Sequence, residues 1–216
     1  MIRRVVMIMN SGYLSLILLC ITLILFASGW KELYVRSISH KGILLFFAAW
    51  LTLSHITIRI GHLQVHLVYL WILCICIGIL YVTRGFIHKL HLLSIGLLLG
   101  SLHFLLQQLL QMDPILIVGS SEWDTALLLA VVVTVLQRSE LEQIAAISLG
   151  YLLGDLYQAG IHQEVGAQRL GSPHFQDQWW LSVFAARTMT IVLQAVYNGC
   201  RLIIRSWMER KGGWRK

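Results

Sequence analysis

One acid and one arginine lie well within apolar runs, where chemistry would first be sought: Asp155 in "LGYLLGDLYQAG" and Arg187 in "LSVFAARTMTIVLQAVYNGC". A charge in hydrocarbon costs several kcal/mol unless it is paired or hydrated, so such residues mark a polar joint or a pathway. The "LLGD" at Asp155 approaches the GxGD signature of intramembrane aspartyl proteases, but Leu152 stands where the first glycine belongs. No second aspartate lies in an apolar run to share a proton with Asp155, and that chemistry needs two carboxylates. No GxSx serine motif lies within an apolar run to accompany His103, so no residue is assigned a catalytic role.

The polar residues around this pair follow helical spacing. Ser148, Tyr151, Asp155, Gln158 and His162 make one stripe, and Arg187, Thr190, Gln194, Asn198 and Arg201 make a second. His103, Gln107 and Gln111 recur every four residues and make a third. Such stripes either hydrogen-bond between helices and hold a bundle together or line a wet cavity, and the sequence leaves both open. Small residues repeat as well. Gly96 with Gly100, and Ala146 with Gly150 and Gly154, form ridges that allow close helix approach, within one chain or between chains.

These residues need elements to carry them. The chain has 216 residues, 57% hydrophobic and 12% charged, about half the charged fraction of a soluble domain. Its apolar runs approach the 20 residues or so that cross about 30 Å of hydrocarbon. The expectation is an all-α, polytopic transmembrane bundle in one domain, with spans at 12–30, 42–58, 63–83, 90–112, 123–136, 141–161 and 179–200. Only "RIGH" joins the second and third, so Gly61 must supply the turn. "GSSEWD" reads as a helix entry with Ser121 at capping-box-like spacing to Asp124.

Lys and Arg set the orientation. One side receives three at 31–41, two at 84–89, one at 137–140 and six from Arg201 onward, twelve in all. The other receives Arg3, Arg4, Arg59 and Arg169. By the positive-inside rule the N-terminus is outside and the C-terminus inside. A re-entrant hairpin of the fifth and sixth runs would leave five crossings with the same orientation. On the seven-span reading Asp155 lies about 21 Å along its helix and Arg187 about 12 Å below the outer surface, at nearly equal depth, so each is the expected partner of the other.

The net charge of +7 does not point to nucleic acid, because the charges punctuate apolar runs and gather in the tail at 201–216. Arg201, Arg205, Arg210, Lys211, Arg215 and Lys216 suit an anionic inner leaflet. Trp179-Trp180 reads as an interfacial anchor pair. Cys20, Cys74, Cys76 and Cys200 read as small buried apolar residues. His62 and His66 share a helix face but lack a third ligand, and Arg59 nearby would repel a cation, so no metal or cofactor is expected.

The run "NSGYLSLILLCITLILFASGWKELYVRSISHKGILLFF", with "LGYLLGDLYQ", resembles the YphA-type small membrane proteins of endospore-forming bacteria. That resemblance implies a bacterial cytoplasmic or spore-related membrane and a non-enzymatic role in assembling the spore envelope. Two functions remain: a scaffold that binds a protein partner or its own copy, and a small transporter or channel using the seam around Asp155 and Arg187.

Overall fold

The computed structural model describes residues 11–61, 63–112, 120–161 and 168–212. In chain order they form α1 (Tyr13–Ala27), α2 (Lys31–Tyr34), α3 (His40–Leu53), β1 (Thr57–Ile60), β2 (Leu63–His66) and α4 (Leu67–Val82). There follow α5 (Phe86–Met112), α6 (Ser121–Leu136), α7 (Glu140–Ile161), β3 (Gln168–Leu170) and α8 (Pro173–Gly212).

Local chemistry explains most boundaries. Ser39 caps α3 by accepting from the Gly42 N–H at 3.2 Å. Ser120 caps α6 by accepting from Trp123 N–H at 3.4 Å, so the cap falls one residue before the expected Ser121. Ser172 and Pro173 open α8: Phe175 N–H donates to Ser172 Oγ at 3.3 Å, and proline occupies the first helical position, where no N–H is needed. The helix therefore starts six residues before the expected Trp179. It also runs on to Gly212, so the basic segment begins as helix; residues 213–216 lie outside the described residues.

The expected helices at 42–58 and 63–83 are shortened by a hairpin. "TIRI" and "LQVH" alternate in the way strands do, and Ile60 pairs with Leu63 across the turn. Gly61 does supply the left-handed residue there, at φ +62°. β3 then adds to β2 in parallel, Leu63 opposite Gln168.

Side-chain contacts fix the helix directions. Gln143 of α7 bonds Thr190 of α8, and Tyr151 bonds Ser182, so these two helices run antiparallel. Tyr69 and Cys76 of α4 reach Leu152 O and Ala145 O, which sets α4 antiparallel to α7. Ser182 and Thr134 link α6 to α8 in parallel. Asp177 meets the start of α1 while Thr188 meets Tyr34 after its end, so α1 also parallels α8. Trp50 stacks on Trp179 and Phe47 on Trp180, which places α3 antiparallel to α8. The helices α1, α3, α4, α5, α6, α7 and α8 thus alternate in direction, with the sheet at one end of the bundle.

The small-residue ridges pack against each other within the chain. A Cβ on Gly96 would stand 2.7 Å from Leu149 Cβ, one on Gly100 2.8 Å from Leu153 Cβ, and one on Gly150 2.7 Å from Leu99 Cβ. Ala146 is fully buried on the same helix. These glycines let α5 and α7 approach in parallel to backbone contact.

The core gathers along α8. Trp179 and Trp180 are buried among Phe46, Phe47 and Trp50, so they are core residues and not interfacial anchors. Of the cysteines only Cys76 is buried; Cys20, Cys74 and Cys200 lie on the outside of the bundle. That outside is apolar, with Leu44, Tyr81, Phe86, Ile87 and Val135 each more than 70% exposed, as a protein solvated by lipid requires. Among the described residues three helices are long and apolar enough to cross a membrane: Phe86–Met112, Glu140–Ile161 and Pro173–Ile203. The apolar helices Tyr13–Ala27, His40–Leu53, Leu67–Val82 and Trp123–Leu136 are shorter.

Candidate functional site

The polar residues singled out in the sequence divide into three places. The first is at Arg187. Its Nε donates to Tyr34 O at 2.8 Å, Nη2 to Leu33 O at 3.2 Å and Nη1 to Gln143 Oε1 at 2.9 Å. Tyr34 O and Leu33 O end the short helix α2, whose last carbonyls have no partner within the helix. Glu140 Oε1 lies 4.0 Å from Nη2, while its Oε2 accepts from Arg36 N–H at 2.7 Å. Gln143 Nε2 reaches Thr190 Oγ1 at 2.9 Å and Gln137 O at 2.7 Å. Arg187 is 4% exposed. This guanidinium ties the connector between α1 and α3 to the α7–α8 pair.

The second place is midway along α7 and close to the start of α8. His103 Nε2 is 3.2 Å from Gln178 Oε1 and 3.0 Å from Gln107 Nε2. Its ring lies 4.6 Å from the Tyr151 ring and rests on Gly154, where any Cβ would strike Nδ1. Tyr151 Oη bonds Ser182 Oγ at 2.7 Å, and the Ser182 hydroxyl donates to Ala126 O at 3.1 Å. Trp179 Nε1 donates to Ser148 Oγ at 3.0 Å. His103 Nδ1 and Gln178 Nε2 are buried without a hydrogen bond.

Asp155 occupies the third. Its Oδ2 accepts from Gly171 N–H at 2.9 Å, at the turn between β3 and α8. Gly171 has φ +69°, and a Cβ there would meet Tyr69 Cβ at 2.7 Å, so both conformation and space demand glycine. Gln176 Nε2 donates to Gly171 O at 3.2 Å and closes the turn.

The expected Asp155–Arg187 pair is therefore corrected: each has its own partners. Eight residues up α7 from Gln143 to Tyr151 match eight down α8 from Thr190 to Ser182. Four more bring Asp155 level with Gln178, nine residues and about 13 Å from Arg187. The early start of α8 causes the difference, because it places Arg187 deeper than a start at Trp179 would. Nor do the stripes form one outward seam: Gln111 and Gln194 are exposed, and Gln107 and Gln158 are half-buried.

Sequence reasoning missed Asp177, which falls inside α8 and is 2% exposed. Its two oxygens accept from Gly12 N–H and Ser15 N–H, each at 2.6 Å, and so neutralise the start of α1. The Ser-Pro helix opening four residues earlier was the available signal. The paired histidines also change setting. His66 lies in a strand, where burial holds its imidazole below the ordinary value, and His62 lies outside the described residues. His66 therefore does not sit on a helix face.

A family model described as YphA-like integral membrane protein matches residues 37–212. The chain belongs to that family. The match begins after α2 and includes Asp155, Gly171, Asp177 and Arg187, and the family resemblance carried by "LGYLLGDLYQ" falls within it. No curated protein and no solved structure matches the chain. What YphA-like membership establishes is residence in a membrane as an integral protein.

Proposed function

We propose that the protein is a non-enzymatic, multi-pass scaffold of a bacterial cytoplasmic or spore-related membrane, acting through partners. The observation that carries this reading is that the charges within its helices are engaged by the protein's own groups. Arg187 spends three donors on Leu33, Tyr34 and Gln143, Asp177 spends both oxygens on α1, and Asp155 fastens a turn. Groups held in this way rigidify a bundle, whereas a carrier needs them free to exchange partners. The alternating helices would make seven crossings. Arg59 and Arg169 at the sheet end, against Lys31, Arg36, Lys41, Arg84, Lys89 and Arg138 at the other, favour the sheet end outside and the C-terminus inside.

The rival reading is an ion- or proton-coupled carrier that works through Asp155. Proteoliposomes holding the wild-type chain should leak protons and potassium no faster than empty vesicles, and Asp155→Asn should change nothing. A flux above the empty control that Asp155→Asn abolishes, in a variant that still elutes as a folded species, would overturn the scaffold reading.

A further inference from the structure

A cavity of about 270 Å³ opens inside the bundle, walled by α1, α3, α4, α7, α8 and the connector after α2. Phe46, Ile75, Ile144 and Val183 are among its almost wholly apolar walls, and Arg187 borders it. Water gains little in such a space, which lacks the two to four polar partners a buried molecule needs. Next to it, at the end opposite the sheet, is a second, open pocket of about 280 Å³ lined by Arg36, Ser37, Arg138, Ser139 and Glu140.

The two chambers share a wall. Along residues 34–38, Tyr34, Val35 and Ile38 face the apolar chamber, while Arg36 and Ser37 face the polar one. The same division recurs at Glu140 and Leu141. Glu140, the one acid in the polar pocket, is occupied by the Arg36 N–H and lies 4.0 Å from Arg187. Two guanidinium groups and two hydroxyls remain to meet a ligand.

We propose that these chambers together form a binding site for one anionic phospholipid from the surrounding leaflet. Its phosphate lies between Arg36 and Arg138, and one acyl chain enters the apolar cavity. A basic pocket between helix ends suits an anionic headgroup, and an apolar cavity beside it suits an acyl chain, which a free phosphate ester does not have. The site requires only residence in a membrane and is independent of the scaffold reading.

The test uses the full chain purified in detergent, with unfolding temperature and native mass spectrometry as readouts. The probes are dioleoyl phosphatidylglycerol, dioleoyl phosphatidylcholine and glycerol 3-phosphate. Phosphatidylglycerol should raise the unfolding temperature by about 5 °C at saturation and remain on the protein as a single adduct. Phosphatidylcholine should do less, and glycerol 3-phosphate nothing. Arg138→Gln, on an exposed residue, should remove the preference between the two lipids. Ile75→Trp and Val183→Phe, which fill the cavity, should each lose the response. Equal effects of the two lipids, a full response to glycerol 3-phosphate, or a full response in a folded cavity variant would each refute the site.

Discussion

At the residue scale, the buried charges act on backbone. Asp177 gives two short acceptor bonds to the first turn of α1, a place where helix N–H groups have no partners of their own. Hydrogen bonds to a charged group contribute about 1.5–3 kcal/mol each. Asp177→Ala is therefore expected to lower stability by at least about 2 kcal/mol in thermal unfolding in detergent. Asp177→Asn, which keeps one acceptor oxygen, should cost less; equal stability of all three proteins would remove the cap from the account. The same chemistry explains what the sequence could and could not tell. That Asp155 and Arg187 need partners is legible from burial in apolar runs. Which partners they take is not, because Gly171 N–H, Leu33 O and Tyr34 O are groups that every residue carries. A side-chain pattern naturally pairs the lone acid with the lone base.

At the element scale, glycine spacing and capping residues decide how the helices meet. The ridge at Ala146, Gly150 and Gly154 is legible, as is the one at Gly96 and Gly100, and the structure shows that they face each other inside one chain. Gly150→Val would drive a branched side chain into Leu99, whose Cβ already stands 2.7 Å from the Cβ position. Overpacking of this kind costs about 1–3 kcal/mol, and the unfolding temperature should fall accordingly. Gly199→Val, where a Cβ meets nothing within 4 Å, is the control and should stay close to wild type. Among the described residues, hydropathy located the long helices but blurred several of their boundaries. It averaged β1 and β2 into their apolar neighbours, because "TIRI" and "LQVH" are short and half apolar. It also missed the first six residues of α8, because "PHFQDQ" is polar although Ser172 and Pro173 announce a helix.

At the scale of the molecule, α8 is the element around which the others are ordered. It touches α1 through Asp177, α3 through the tryptophans, α6 through Ser182 and α7 through Tyr151 and Gln143. The predominantly helical class was legible from composition and periodicity, although three short strands join the helices. The depth of one residue against another was not, since it depends on where α8 begins, and an offset of six residues moves Arg187 by about 9 Å.

The central claim is that Asp155 and Arg187 serve two separate joints. A double-mutant cycle in reversible unfolding, with Asp155→Asn, Arg187→Met and both together, tests it most directly. Each single variant should destabilise the protein, Arg187→Met by about 3 kcal/mol or more because it strands buried carbonyls. The two losses should add to within about 0.5 kcal/mol, as for distant sites. A coupling above about 1 kcal/mol, or recovery of stability in the double variant, would mean that the two charges are partners and would contradict the account.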